Sequence, residues 1–474
     1  MSTISKTLAG VVLFLLPLFS YTQHKCGHRH GFERSPVADS IDAVHYRIHL
    51  TNINFVTKQI QAVVQISLRP VFPLSVIPLE LKQLQVEQAF VNGNPALGIS
   101  HSGDILHISA GQTFGPADTL LVEVHYGGQP FHESWGGFHF SGNYAFNLGV
   151  GFVSVPHNLG KAWFPCVDDF RDRATYEVLI TLPAHMKGIS GGSLINTIDE
   201  GDGTLTWHWK LSQTIPTYLA SVAAGEYELF ADQYSGIEQD IPITIYTRPQ
   251  DTGKVAGSFQ NLHDVISLFE HSFAPYPWER IGYTGTAIGA MEHVTNIAYP
   301  HQAINGNLGS EYLMAHEIAH MWFGNKVTCA TAQDMWLNEG WATFCQHFYR
   351  IPIYGYNDYL NRSRINLENA NYNLDLARNT LRKGIESAYS DALAAYASYT
   401  ARQKSLSSLR ESFKYTEEKF NVGMVNAIDY NVAKNQLSRA ESDLLSGKYD
   451  YIFKLKILDF YLGRTISLND LTEN

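Results

Sequence analysis

The sequence predicts a multidomain α+β chain: a largely antiparallel β domain, an α-rich domain, and a long antiparallel α-helical coiled-coil hairpin. Two observations carry this. Apolar residues repeat with period two up to about residue 235, with a helical period beyond Asp251, and with period 3.5 toward the end. Composition also breaks once, since all 18 prolines lie at or before Pro352, all eight tryptophans at or before Trp341, and every histidine at or before His347.

In chain order, the opening "MSTISKTLAGVVLFLLPLFSYTQ" has Lys6 and then an apolar run from Leu8 to Phe19. That run is short for a bilayer span and is shaped like a secretory leader, so residues 1–22 are expected to be a signal peptide and the chain to be exported; a membrane anchor is the alternative. In residues 35–235 the runs Val44, Tyr46, Ile48, Leu50; Ile60, Ala62, Val64, Ile66, Leu68; Tyr176, Val178, Ile180, Leu182; and Leu205, Trp207, Trp209, Leu211 alternate with polar residues as half-buried strands do. In residues 236–355, Phe259, Leu262, Val265, Ile266, Phe269 and Phe273 fall on one helical face and open the α-rich domain.

Residues 361–468 form the expected hairpin. Leu367, Ala370, Leu374, Ala377, Leu381, Ile385, Ala388, Ala392 and Ala395 step by three and four, and so does the series from Tyr430 through Leu437, Gly447 and Tyr451 to Leu462. "FNVGMVNAID" interrupts them, with Gly423 suited to a turn and Asn426 to a helix N-cap. Charge changes at the same boundary: residues 361–474 hold 16 Lys+Arg against 14 Asp+Glu, a net of +2, which leaves −13 of the chain's −11 to residues 1–360.

An acidic chain without clustered Lys and Arg excludes nucleic acid as a partner. Cys26, Cys166, Cys329 and Cys345 allow three complete pairings in an exported protein, with Cys329–Cys345 preferred and free buried thiols the alternative. "HKCGHRHGF", residues 24–32, reads as a polar leader segment rather than a metal site.

The chemistry lies just upstream of the break. "HEIAH" puts His316 and His320 at i and i+4 on one helical face, where both imidazoles reach one Zn²⁺. Glu317 between them is placed to take a proton from the attacking water and pass it to the leaving amine. "WLNEGWATF" supplies Glu339 as third ligand, with eighteen residues between it and His320, for one Zn²⁺ per chain.

With these motifs, "WFPCVDDFRDRATYEVLITLP", "FAPYPWERIGY" and "GAMEH" make residues 35–355 resemble the zinc aminopeptidases of the membrane alanyl aminopeptidase type, a gluzincin family. The resemblance implies a saddle-like β domain on a thermolysin-like zinc domain, here truncated, and peptide substrates with a free N-terminus. It places Gly289, Ala290, Met291 and Glu292 at the substrate, with Glu292 binding the α-amino group. The motif's last position is His293 rather than Asn. The family's second amine-binding side chain has no Gln counterpart, leaving only His157 nearby. Its oxyanion tyrosine has no clear counterpart either, because Tyr396 and Tyr399 belong to the 3.5-period pattern.

The tail is similar to the last helical hairpin of TolC-type outer-membrane efflux proteins, without their barrel strands or first repeat. That resemblance implies a homotrimer or an efflux-type partner and a periplasmic or outer-membrane location in a Gram-negative-type bacterium. The two together describe a chimera of a metallopeptidase and an efflux-channel hairpin. A non-enzymatic efflux-channel fragment and a generic coiled-coil arm are the competing readings.

Overall fold

The structure is a computed structural model that describes residues 35–464; the leader, the histidine-rich segment, Cys26 and the last ten residues lie outside the described residues. The chain divides into two compact units that meet in sequence at Tyr359 and Leu360.

The first unit begins with an eight-stranded sheet. Its order is Ser193–Asp199, Thr204–Ile215, Ala174–Pro183, Ile41–Asn54, Gln59–Pro70, Leu120–Gly128, Gln85–Val91 and Asn94–Pro95. Every pairing is antiparallel except Ile41–Asn54 with Ala174–Pro183, which is parallel, with Tyr46 opposite Tyr176. Period two survives because one face is buried: Ile60, Ala62, Val64, Ile66 and Leu68 all point into the core. Val44 departs from the expected alternation. A bulge between Ala43 and His45 turns Ala43 inward and leaves Val44 half-buried.

A buried ionic cluster ties Glu80, the last residue of the strand Leu74–Glu80 in a separate three-stranded sheet, to the segment around Cys166. Lys161 Nζ lies 3.2 Å from Glu80 Oε1 and 3.7 Å from Asp168 Oδ2. Glu80 also accepts from Ser35 Oγ and the Asp168 amide, and Asp168 accepts from Thr217 Oγ1. All four lone-pair-rich ends are therefore engaged, which is the condition for burying charge.

A second sheet orders Glu228–Ser235, Asp240–Thr247, Ile281–Thr286 and Ile297–Pro300, with its last two pairings parallel. Glu228–Ser235, grouped by sequence with the first domain, thus hydrogen-bonds into this sheet. Against it pack α1 (Leu262–Ser272) and α2 (Glu311–Ala319); α3 (Trp336–Phe348) packs on α2 and is followed by the short α4 (Arg350–Tyr354). In α1 the apolar stripe Leu262, Val265, Ile266 and Phe269 is buried, as its spacing requires.

The compositional break does not coincide with the last contact of this unit. Tyr349 Oη and Tyr354 Oη donate to Glu311 Oε2 at 2.9 and 2.7 Å, and Asn261 donates to the other oxygen. Glu311 is the first residue of α2, so residues on both sides of Pro352 hold the start of the helix that carries the HEIAH motif.

The second unit holds most of α5 (Tyr356–Asn421) and all of α6 (Ala427–Tyr461). Gly423 turns the chain at φ +77°, and Asn426 Oδ1 accepts the Ile428 and Asp429 amides at 2.9 Å each. Phe420 meets Tyr430, Arg410 meets Glu441, Asp391 meets Lys454 and Gly384 meets the Tyr461 hydroxyl, so the helices run antiparallel. At 1.5 Å per residue α5 is about 100 Å long and α6 about 52 Å. The partner therefore ends opposite Gly384, and Leu367, Leu374 and Leu381 stay exposed while Ala388, Ala392 and Ala395 are buried.

Candidate active site

HEIAH occupies the last turn of α2 and its C-cap. His316 Nε2 and His320 Nε2 lie 3.2 Å apart, because residues four apart share a helical face. Glu339 reaches them from the first turn of α3, with Oε2 3.3 Å from His316 Nε2 and Oε1 3.9 Å from His320 Nε2. Zinc bonds of 2.0–2.1 Å in a tetrahedron put ligand atoms about 3.3 Å apart, so this donor set fits the ion in kind and in spacing. His316, His320 and Glu339 are the residues that would hold it.

Both imidazoles are oriented from behind. His320 Nδ1 donates to Phe323 O at 3.0 Å, and His316 Nδ1 donates to Gln346 Oε1 at 3.0 Å, which leaves each Nε2 lone pair for a metal. Gln346 lies seven residues after Glu339 on α3, so one helix supplies a ligand and the support for another. Nothing in the motif read from sequence marks it; its helical offset from Glu339 is the signal that could have found it. Replacing Gln346 by Ala should weaken zinc binding about 10–100-fold, with Gln346→Glu retaining it. Competition with a fluorescent chelator measures this, and unchanged affinity in Gln346→Ala would remove the role.

The ligands open onto a cleft of about 570 Å³ lined by Trp135, Phe152 and His157, from loops flanking the strands Gly137–Ser141 and Tyr144–Leu148; by Ala290, Met291 and Glu292 from the GAMEH segment; and by Glu317 beside the ligands. Gly289 is not among the lining residues. Its φ is +71°, and a Cβ there would stand 3.0 Å from Leu148 and Trp135, so glycine lets this segment turn against those two side chains. Met291 then exchanges both backbone bonds with Ala298 at 3.0 Å. His293 does not reach the cleft chemistry. It is buried, its pKa is brought down to about 3 by burial, and Asn147 Nδ2 donates to its Nε2 at 3.4 Å. The departure from Asn at this position thus places a buried imidazole against the strand Tyr144–Leu148.

Electrostatically the cleft is one-sided. Carboxylate oxygens of Glu292 and Glu317 and a His320 nitrogen lie within 4.8 Å of one another, and Glu339 adds a third carboxylate. No Lys, Arg or Tyr lines the cleft among the described residues. Burial, then Glu339 and Glu317, push the Glu292 carboxyl up to about 8, and burial and Glu339 push Glu317 well above the carboxylate range. Burial and then His316 pull His320 down to about 4, keeping it the neutral donor a metal needs. His157 Nδ1 donates to Gly151 O at 2.8 Å, leaving its Nε2 an acceptor.

Tyr396 and Tyr399 both pack their rings on Tyr451 of the facing helix, as residues of the hairpin. The described cysteines, Cys166, Cys329 and Cys345, are free and buried. Cys329 Sγ sits 3.6 Å from Asn338 Nδ2, and Cys345 lies seven residues further along α3, about 10 Å down the axis, so the preferred Cys329–Cys345 bond cannot form.

Comparison with known proteins bears on this arrangement. The family described as Peptidase M1 N-terminal domain matches residues 42–219, and the Peptidase family M1 domain matches residues 258–449, running past the compositional break. A glutamyl aminopeptidase of Bitis rhinoceros is 26% identical over 333 residues, covering 64% of this chain and 34% of its own length. Endoplasmic reticulum aminopeptidase 1 of Homo sapiens is 25% identical over 243 residues, covering 48% of this chain and 25% of its own length. The chain spans about a third or less of these relatives. In fold it is similar to an M1 zinc metallopeptidase from Deinococcus radiodurans bound to a Tyr-Ser-Ala substrate, with TM-score 0.60, 22% identity, and coverage of 66% of this chain and 72% of that one. A two-domain M1 zinc metallopeptidase bound to L-arginine gives TM-score 0.60 at 21% identity over 86% of this chain and 94% of its own. This chain carries the N-terminal and catalytic domains of the M1 peptidase family.

Proposed function

We propose that the chain is a zinc aminopeptidase that hydrolyses N-terminal peptide bonds. The observation that carries the reading is the cleft's charge: three glutamates converge beside two imidazoles, and among the described residues no cationic side chain lines the space. Such a site is completed by cations, a metal dication on His316, His320 and Glu339 and a substrate ammonium at Glu292. Zinc in that set supplies Lewis acidity, making water acidic enough to lose a proton near neutral pH and polarising a carbonyl. Glu317 takes that proton and returns it to the leaving nitrogen. Glu292, buried at the inner end, pairs with the free α-ammonium and fixes the register at one residue, with Ala290 and Met291 beside the backbone of the substrate and His157 Nε2 a further acceptor. Among the described residues no tyrosine hydroxyl lines the cleft, and a missing oxyanion donor costs about a hundred- to a thousandfold in rate. Turnover is therefore slow.

Aminoacyl anilides test this reading. Cleavage that a chelator abolishes, zinc restores and N-acetylation of the substrate blocks is the expected result. Equal cleavage of the acetylated substrate would refute the exopeptidase assignment.

Export rests on the leader in residues 1–22. A periplasmic or outer-membrane location rests on the likeness of residues 361–468 to a TolC-type hairpin, and a homotrimer or efflux-type partner is proposed on the same ground. The uncovered leucines of α5 favour an assembly role for the tail. No helix among the described residues is long and apolar enough to cross a membrane.

A further inference from the structure

A second cavity, larger than the cleft and sharing no lining residue with it, lies in the first unit between the large sheet and the loop that follows α2. It measures about 710 Å³, and Arg171, Arg173, Gln213, Trp278, Lys326 and Thr328 are among its walls. Among the described residues three cations line it and no carboxylate does, in a chain whose net charge is −11.

The three cations are not equivalent. Arg171 is exposed and paired with Asp169 at 3.4 Å. Arg173 is half-buried and has neutral partners only: its Nη2 donates to Thr214 O at 2.9 Å and to Asn325 O at 3.2 Å. Three of its five N–H donors, on Nε and Nη1, have no protein acceptor among the described residues. Lys326 likewise meets a neutral partner, donating to Gln213 Oε1 at 3.0 Å, and stands 5.6 Å from the Trp278 ring centroid. Burial alone holds the Arg173 pKa down, opposed by Tyr218 and Tyr176, with no carboxylate contributing. Desolvated guanidinium without a counter-ion is costly, and an oxyanion that accepts from its free N–H groups relieves that cost.

We propose that this cavity is a binding site for a small oxyanion, phosphate- or carboxylate-bearing, held between Arg173 and Lys326. The site is placed to bear on the catalytic part. Asn325, whose carbonyl Arg173 holds, donates from its side chain to the Glu292 backbone oxygen at 2.7 Å and lies in the segment joining His320 to Glu339. The inference stands on these groups alone and does not depend on the proposed activity.

Calorimetric titration of the full chain with inorganic phosphate and, separately, glutarate tests it. One saturable site is expected, with the better probe naming the source chemistry. Lys326→Gln, a change at an exposed residue, should weaken binding about tenfold, and Arg173→Gln at least as much. Arg171→Gln should stay within about twofold, because that charge is already paired. Arg173 also bridges two backbone carbonyls, so Lys326→Gln remains the deciding variant if Arg173→Gln unfolds. Absence of saturable binding for both probes, or binding that Lys326→Gln fully retains, would overturn the proposal. The second result would put the anion elsewhere, the metal included.

Discussion

Glu317→Gln should abolish hydrolysis of aminoacyl anilides, by about a thousandfold or more, while leaving the zinc content of the chain unchanged. Glu317 is buried on α2 between the two histidine ligands but is not required in the ligand set, since His316, His320 and Glu339 already bring three donors together. Glutamine keeps the size and the hydrogen-bonding outline and loses the ability to carry a proton. By contrast, His320→Ala should lose both metal and activity. Chelator-sensitive cleavage by Glu317→Gln at a rate near that of the unsubstituted chain would sink the assignment of Glu317 as the general base.

Lys161→Met should destabilise the first unit by about 3–5 kcal/mol. Its Nζ is buried between Glu80 and Asp168, and their charges, against the opposing effect of burial, hold its pKa above the usual lysine value. Removing it leaves two carboxylates buried with no cation, and burial already pushes the Glu80 carboxyl up. The midpoint of urea unfolding should fall accordingly, and adding Glu80→Gln to Lys161→Met should recover part of the loss. A midpoint unchanged in Lys161→Met would show that the cluster contributes nothing net.

The residues of the site differ in how visible they are in the sequence. Glu317 is legible because a helix of fixed pitch turns the spacing of HEIAH into a face, and Glu339 because its motif is itself helical. Gln346 and the cleft walls Trp135 and Phe152 are not, since they arrive from another turn of α3 and from loops far away in sequence. Strand alternation was readable wherever one face is buried, as from Ile60 to Leu68, but the parallel pairing of Ile41–Asn54 with Ala174–Pro183 joins segments over a hundred residues apart and leaves no local trace. In the tail the 3.5 period describes a helix's face and says nothing of its partner's length. Leu367 and Ala392 obey the same pattern, yet only Ala392 is covered, because α6 ends opposite Gly384.

The central claim is that His316, His320 and Glu339 form one zinc site. Metal analysis of the purified full chain, after equilibration with zinc and removal of excess, tests it most directly. One zinc per chain, falling to near none in both His316→Ala and Glu339→Ala, is the predicted result. A chain that holds no zinc, or that holds it equally well without His316 and without Glu339, would contradict the account.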